Sequence, residues 1–180
     1  MENLESQNNI HIESPLASDA EGIQKVYYET WLTTYPNEEQ GISIEDIKDK
    51  LKDYLNFDSI EKRKKYLENI PENESMFIAK ENNQVVGVCK IVRSDEENRL
   101  KSIYILKNFQ GKGIGSKLWN QAKLTFDENK PVYVALADYN EQAKKFYEKL
   151  GFVDTGKRWI EEKTRMKSGS VITEMDMILK

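Results

Sequence analysis

The sequence is poor in the two residue types that most often bind transition metals. It contains one cysteine, Cys89, and one histidine, His11. A single cysteine can form neither an intrachain disulfide nor a multi-cysteine zinc site, and a single histidine cannot supply a His-pair site. We therefore expect no metal site, and we interpret Cys89 as a small core residue.

The chain also lacks an excess of positive charge and any long apolar run. Its 27 Lys and Arg residues are outnumbered by 31 Asp and Glu residues, which gives a net charge of −4. Nucleic-acid-binding proteins usually carry a basic excess, so no nucleic-acid partner is expected. No apolar run reaches the roughly 18 residues of a membrane span, and the start, MENLESQNN, is unlike a signal peptide. These features predict a cytoplasmic protein without a membrane partner.

What is present indicates one folded domain over residues 1–180. The 18 aromatic residues are more than a disordered chain normally carries, and no linker-like tract divides the sequence. Apolar residues at helical spacing predict that the first 70 residues are mostly helix after a short strand at Ile10–Glu13. Ser18 with Glu21 resembles a capping box for the first helix, and Asp58-Ser59 resembles the cap of the third.

Strand-like segments begin at about residue 76. Runs at 76–80, 85–92, 100–106, 131–137, 152–159 and 171–179 read as strands, with helices expected at about 116–126 and before Gly151. Hairpins followed by strand–helix–strand units imply a mixed sheet with helices on both faces. The predicted fold class is α/β, with a mixed sheet of the α+β kind.

A glycine-rich segment, QGKGIGS at 110–116, lies between a predicted strand and a predicted helix. Glycines at alternate positions permit close backbone approach, and free amides at a helix N-terminus favour an anion. The segment therefore predicts a phosphate or pyrophosphate cradle. It matches neither a P-loop nor a Rossmann fingerprint, because Ser116 stands where each needs glycine. The alternative is a tight turn without a ligand.

A second segment, NEQAKKFYEKLGF at 140–152, follows about 30 residues later. The two segments together resemble the signatures of the GNAT superfamily of acyl-CoA-dependent N-acetyltransferases. The matching residues are Gln110, Gly113 and Gly115 in the first segment and Asn140, Ala143, Phe146, Tyr147, Gly151 and Phe152 in the second.

This resemblance implies a mostly antiparallel central sheet whose middle strands are splayed, with acetyl-CoA as co-substrate and no metal. The acetyl-CoA-binding core would span about residues 100–153, and the pantetheine arm would lie between the splayed strands. The implied cofactor-binding residues are Ile103, Ile105, Gln110, Gly111, Lys112, Gly113, Ile114, Gly115, Ser116, Asn140 and Tyr147.

Two catalytic roles are implied by the same resemblance. The amide of Ile105 would stabilise the oxyanion of the thioester carbonyl, and Tyr147 would act as general acid for the departing thiolate. Periodicity alone gives Tyr147 a second interpretation, as one more core residue of a helix face. Glu96, Glu97 and Asp138 read more readily as solvated turn residues than as the general base, so no base is assigned.

The stretch between the first two helices, residues 31–41, would border the acceptor site in this fold. Trp31 and Tyr35 are candidates for an apolar or cation–π wall, and Glu38 is a candidate to attract a cationic amine. The equally open alternative is that Trp31 belongs to the core and that Glu38 is merely exposed. The acceptor expected from the resemblance is a polyamine or another small cationic amine, bound on the helical side at about residues 1–70.

Two functions remain open from the sequence. The first is transfer of an acetyl group from acetyl-CoA to a primary amine by direct attack in a ternary complex. The alternative is a non-catalytic sensor or interaction module that binds CoA or another phosphorylated ligand, although Tyr147 counts against a purely binding role. A homodimer is plausible for this family, and the sequence itself gives no evidence for one.

Overall fold

The structure is a computed structural model that describes residues 10–180 and contains a seven-stranded sheet. The strand order across the sheet is β1-β2-β3-β4-β5-β7-β6. The strands are β1 (Ile10–Glu13), β2 (Glu74–Glu81), β3 (Gln84–Arg93), β4 (Asn98–Ile105), β5 (Val132–Ala137), β6 (Phe152–Ile160) and β7 (Thr173–Leu179). Every predicted strand is present, with ends that differ from the expected ones by at most two residues.

Five α-helices pack on this sheet, and they cover both of its faces. They are α1 (Ala20–Thr34), α2 (Ile44–Lys50), α3 (Phe57–Glu68), α4 (Ile114–Lys123) and α5 (Glu141–Lys149). The Tyr27 hydroxyl of α1 lies 3.0 Å from the Ser102 hydroxyl, whereas Ile105 packs on Gly115 of α4. Residues 102 and 105 of one strand point to opposite faces. The mixed α/β fold is therefore confirmed.

The middle of the sheet is splayed. All strand pairs are antiparallel except β4 with β5, which are parallel and pair through only three residues of each strand. The pairing ends at Leu100 with Val134. Beyond that point β4 continues to Ile105 on β3, and β5 continues to Ala137 on β7. The two strands thus diverge into a V-shaped gap, as the family resemblance implied.

The helix caps expected near the N-terminus were wrong. Helix α1 begins at Ala20 behind a short 3-10 turn, with no side-chain cap from Ser18. The Asp19 carboxylate instead accepts from the Leu16 amide at 2.8 Å and pairs with Lys80 at 2.7 Å. Helix α3 is capped by Asn56, whose Oδ1 accepts from the Ser59 amide at 2.9 Å. Asp58 therefore lies inside the first turn of α3 instead of at its cap.

Two apolar clusters hold these layers together. The larger fills the space between the sheet and the helices α1 and α4. The smaller one joins α2 to the ends of β5 and β7, and its buried members are Ile42, Ile47, Leu51, Ala137, Met166 and Ile172. Among residues 10–180, no helix is long and apolar enough to cross a membrane.

Candidate active site

A cleft of about 710 Å³ occupies the gap between the diverging strands. One wall is residues 101–105 of β4, and the other is residues 135–137 of β5. The loop before α4 and the start of α5 close one end, and the last turn of α1 with Tyr35 closes the other. The cleft therefore runs through the sheet from the α4 side to the α1 side.

The β4 wall presents backbone amides to the cleft. The Leu106 amide donates to the Val86 carbonyl at 2.9 Å, so it points toward β3. Successive amides of a strand point to opposite edges, and the N–H groups of Ile103 and Ile105 therefore point toward the gap. Because the pairing of β4 with β5 ends at Leu100, these two amides face the cleft without a ladder partner.

The loop at 110–116 presents a run of free amides at the start of α4. Within the described residues, the backbone N–H groups of residues 111–116 have no protein acceptor. Gly111 and Gly113 have φ of 75° and 76°, a conformation that glycine adopts without strain. A Cβ on either residue would meet nothing within 4 Å. Such an open amide-lined turn at a helix N-terminus has the geometry of an anion site.

Gly115 is needed for close packing and not for an unusual backbone conformation. It has ordinary helical geometry, and a Cβ there would lie 3.0 Å from the Phe146 ring and 3.3 Å from Ile105 Cδ1. Its absent side chain lets α5 approach α4 next to the cleft. Gln110 adds a second link in this region, because its amide donates to the Ile105 carbonyl at 3.0 Å and accepts from Gln142 at 3.1 Å.

Tyr147 projects from α5 into the cleft and is only 6% exposed. Its ring packs edge-on against Phe146 and Phe152. Burial, with smaller contributions from Tyr104 and Cys89, raises the pKa of Tyr147 well above its usual value. Its hydroxyl forms no hydrogen bond with any residue in the described part of the chain, so it remains available to a ligand as a proton or hydrogen-bond donor.

The opposite end of the cleft contains a group of bonded tyrosines. The Tyr35 and Tyr104 hydroxyls lie 2.8 Å apart, and the Tyr139 hydroxyl donates to the Tyr35 carbonyl at 3.0 Å. Burial raises the pKa of Tyr139 to about 12 and that of Tyr35 still further. These phenols therefore remain neutral at physiological pH.

Comparison with known proteins agrees with this geometry. The sequence model of the Acetyltransferase (GNAT) domain family matches residues 35–179. The chain belongs to the GNAT family of acetyltransferases. The match covers both strand walls of the cleft and the glycine loop, and it confirms the family expected from the two sequence segments.

Solved structures of other acetyltransferases share this GNAT fold. The PaiA N-acetyltransferase of Thermoplasma acidophilum, solved in complex with coenzyme A, is 20% identical with a TM-score of 0.62, covering 92% of this chain and 98% of its own. A GNAT-family acetyltransferase of Streptococcus pneumoniae is 17% identical with a TM-score of 0.69, at 94% and 98% coverage. A ribosomal-protein-alanine N-acetyltransferase of Brucella melitensis is 18% identical with a TM-score of 0.67, at 93% and 98% coverage.

Most site residues that the sequence predicted for this acetyltransferase line the cleft. Those that do are Tyr35, Ile103, Ile105, Gln110, Gly111, Gly113, Ile114, Gly115, Ser116, Asn140 and Tyr147. The Asn140 side chain also caps α5, with its Oδ1 accepting from the Ala143 amide at 3.0 Å, which leaves its amide nitrogen for a ligand. The roles assigned to these residues stay predictions.

Three predicted residues do not line the cleft. The Lys112 ammonium lies over the Phe109 ring at 4.8 Å. Trp31 packs against Tyr35, with ring centroids 4.5 Å apart, and faces a neighbouring cavity. Glu38 is exposed in the turn that joins Asn37 to Ile42.

The carboxylates considered as general bases also lie away from the cleft lining. Glu96 and Glu97 belong to the turn before β4, at the end where β4 and β5 are still paired, and Glu97 forms an ion pair with Arg99 at 2.6 Å. Asp138 follows β5, and its amide donates to the Thr173 carbonyl at 2.9 Å. Among the described lining residues, the one carboxylate is Glu141, in the first turn of α5.

Sequence reasoning missed several lining residues, of which Tyr104, Tyr139 and Gln142 form the hydrogen bonds described above. Tyr104 stands in a strand where alternation only predicts which face it takes, and Gln142 is an ordinary polar helix residue. Their positions depend on how distant elements meet, and no local motif carries that information.

Proposed function

We propose that this protein transfers an acetyl group from acetyl-CoA to a primary amine, and that the amine attacks the thioester directly while both substrates are bound. The observation that carries this proposal is the continuity of the cleft. It joins a free amide cradle at 111–116, two unpaired strand amides and the unpartnered hydroxyl of Tyr147.

The residues of the cleft fit acetyl-CoA in shape and chemistry. The pyrophosphate would be bound by the backbone amides of residues 111–116, which are also at the positive end of α4. The pantetheine arm would lie along β4 in place of a neighbouring strand. Its amide groups would form hydrogen bonds with the backbone of Ile103 and Ile105. When bound, acetyl-CoA supplies a thioester already activated for acyl transfer.

The chain's own groups would then perform two tasks. The Ile105 amide would donate to the thioester carbonyl and stabilise negative charge there, as an oxyanion hole does. The Tyr147 hydroxyl would donate its proton or a hydrogen bond to the leaving sulfur. Since burial raises the pKa of Tyr147, its hydroxyl stays protonated at physiological pH.

The acceptor amine would enter from the α1 side, where the tyrosines end the cleft. The expectation of a polyamine comes from the family resemblance, and Glu38, the candidate to attract a cationic amine, is exposed outside the cleft lining. The polyamine therefore stays a prediction without support from the charges that the structure places at this end.

The test is acetyl-CoA-dependent release of free thiol with a panel of primary amines. Tyr147→Phe keeps the ring and removes the donor, so we expect kcat to fall by about 10²-fold or more, the usual effect of a lost general acid, with the KM for acetyl-CoA little changed. Tyr28→Phe is the matched control, because Tyr28 lies on α1 away from the cleft lining. Because burial raises the pKa of Tyr147, the rate advantage of the wild type should still be present at about pH 10, the ordinary pKa of tyrosine.

Two results would count against the proposal. Full turnover by Tyr147→Phe at every pH would remove the role of Tyr147. A rise in melting temperature with acetyl-CoA, together with no thiol release from any amine, would favour the non-catalytic binding module.

A further inference from the structure

A second cavity, of about 490 Å³, adjoins the cleft at its α1 end. The two share three lining residues of β4, namely Lys101, Ser102 and Tyr104. The second cavity continues away from the splayed strands, between α1 and the β3–β4 part of the sheet. A molecule bound in the second cavity could therefore extend along β4 into the cleft, toward Ile105.

The walls of the second cavity are largely aromatic. Tyr27, Trp31, Tyr54 and Tyr104 line it, and the Tyr27 ring meets Tyr104 and Tyr54 edge-on at centroid distances of 5.3 and 6.4 Å. The Tyr27 hydroxyl is engaged with Ser102. These rings present apolar surface to the cavity.

Among the residues that the structure describes, the charged ones that line the second cavity are all cations: Lys50, Arg63, Lys90 and Lys101. Arg63 is held in a defined position without a carboxylate. Its Nε and Nη2 both donate to Oε1 of Gln24 at 3.1 Å, and its guanidinium lies 5.5 Å from the rings of Tyr27 and Tyr66. Gln24 is 4% exposed and is itself fixed by a bond to the Tyr54 carbonyl.

Only one of these four cations is neutralised by an ion pair among residues 10–180. Lys90 pairs with Glu74 at 2.7 Å. Lys50 donates to a neutral acceptor, the Lys163 carbonyl, at 2.6 Å, and Lys101 has neither an ion pair nor a side-chain hydrogen bond with the described residues. Arg63, Lys50 and Lys101 therefore place positive charge around the cavity without a direct ion pair to any carboxylate among residues 10–180.

From this arrangement we infer that the acceptor carries an anionic group, a carboxylate or a phosphate, which binds in the second cavity near Arg63 and Lys101. The inference rests on the proposed function, because it assigns a chemical class to the amine that this function acetylates. The anion would fix the molecule at one end and direct its amine along β4 toward the cleft. A small zwitterion such as an amino acid or a phosphorylated amine has this chemistry.

The charge of the cavity argues against a polyamine as its occupant. A polyamine would place its ammonium groups beside Arg63, Lys50 and Lys101, and like charges repel. A planar guanidinium is well suited to carboxylate or phosphate oxygens, because it can present two parallel N–H donors to them. The aromatic walls would contact the carbon skeleton of the acceptor.

The test compares amines in pairs that differ only in the anion. The pairs are L-tyrosine with tyramine and O-phosphoethanolamine with ethanolamine, and spermidine represents the polyamines. We expect the anion-bearing member of a pair to have the higher kcat/KM, by about ten-fold or more, which is the effect of a hydrogen bond to a charged group. The same member should raise the melting temperature of the protein, and its partner should not.

Variants of Arg63 and Lys101 test whether these two residues bind the anion. Arg63→Met and Lys101→Met should each reduce the anion preference by about ten-fold through KM, without changing the KM for acetyl-CoA, and Arg63→Lys should restore part of it. Lys101 is exposed on a bulge of β4, so its replacement tests the inference even if Arg63→Met folds poorly. Lys62→Met, an exposed lysine on the same helix as Arg63, is the matched control.

The outcomes separate the two proposals. Equal rates and equal melting shifts within each pair, a clear preference for spermidine, or an anion preference unchanged in both variants would overturn the anion site and leave the acetyltransferase intact. Melting shifts that depend on Arg63 and Lys101, with no thiol release from any amine, would support the anion site and contradict the proposed function.

Discussion

At the scale of single residues, the three glycines at 111, 113 and 115 have different structural roles. Gly111 and Gly113 have positive φ and face open space, whereas Gly115 has helical geometry and sits against Phe146 and Ile105. The sequence pattern treats the three alike. The structure shows that two of them set the backbone path of the amide cradle and that the third sets the spacing of two helices.

This difference predicts different defects on replacement by alanine. Gly113→Ala should cost about 1 kcal/mol of unfolding free energy from its positive φ and should also raise the KM for acetyl-CoA. Gly115→Ala should cost about 1–3 kcal/mol, because its Cβ would overpack against the Phe146 ring. Urea unfolding and initial rates measure these effects.

Gly169→Ala is the matched control for Gly113→Ala. Gly169 also has a positive φ, of 93°, and a Cβ there would meet nothing within 4 Å, but it lies outside the cleft lining. It should lose similar stability with an unchanged KM for acetyl-CoA. Equal KM values for all three variants would contradict the role of the cradle.

At the scale of elements, α2 is fixed by the carboxylate of Asp46 at its start. One oxygen accepts from the Ser43 amide at 3.0 Å and from the Ser43 hydroxyl at 2.8 Å, and the other accepts from the Ser168 amide at 3.3 Å. The bonds from Ser43 and Ser168 lower the pKa of Asp46 to about 2. The same carboxylate therefore caps α2 and ties it to the segment before β7.

This shift predicts a specific dependence of stability on pH. A carboxyl whose pKa is lowered by folding stabilises the protein above its unfolded pKa of about 4, and this contribution is lost as the pH falls toward 2. We expect Asp46→Asn to unfold at lower urea concentration than the wild type at pH 6, with the difference shrinking as the pH falls from about 4 to 2. Asp49→Asn on the same helix should lack this trend, and a constant difference at all pH values would contradict the assignment.

The elements themselves were the part of the fold that the sequence predicted best. The composition Glu81-Asn82-Asn83-Gln84 is typical of a turn and predicts the hairpin between β2 and β3, and both asparagines take positive φ, of 50° and 65°. The caps were predicted poorly. The carboxylate at the start of α1 is Asp19, which pairs with Lys80, 61 positions away, and a local pattern such as Ser18 with Glu21 contains no information about such a distant partner.

At the scale of the whole molecule, the sequence predicted one half of the site better than the other. The cofactor side depends on two local segments with recognisable spacing, 110–116 and 140–152, and nearly all of their predicted residues line the cleft. The acceptor side is assembled from α1, α3, β3 and β4. Arg63 and Lys101 are ordinary charged residues in their own segments, and only the tertiary fold places them around one cavity.

At the scale of the whole sheet, a short ladder and one ion pair hold the two parts of the sheet together at the closed end of the gap. Strands β4 and β5 share only three paired residues. Arg99 of β4 reaches past β5 to Asp176 of β7, with Nη1–Oδ1 at 2.7 Å and Nη2–Oδ2 at 3.4 Å, and its guanidinium lies 5.4 Å from the Tyr133 ring. This ion pair links the N-terminal and C-terminal parts of the sheet where the backbone ladder is shortest.

We therefore expect Arg99→Met to destabilise the whole molecule. Asp176 is 3% exposed, and a carboxylate that loses its buried partner costs about 3 kcal/mol, measured as unfolding free energy in urea. Lys157→Met is the control, because Lys157 is largely exposed, lies 3.9 Å from the same carboxylate and should contribute at most about 1 kcal/mol. If the pair also sets the width of the gap, the KM for acetyl-CoA rises in Arg99→Met alone. Equal stability losses in the two variants would show that the short β4–β5 ladder holds the sheet without Arg99.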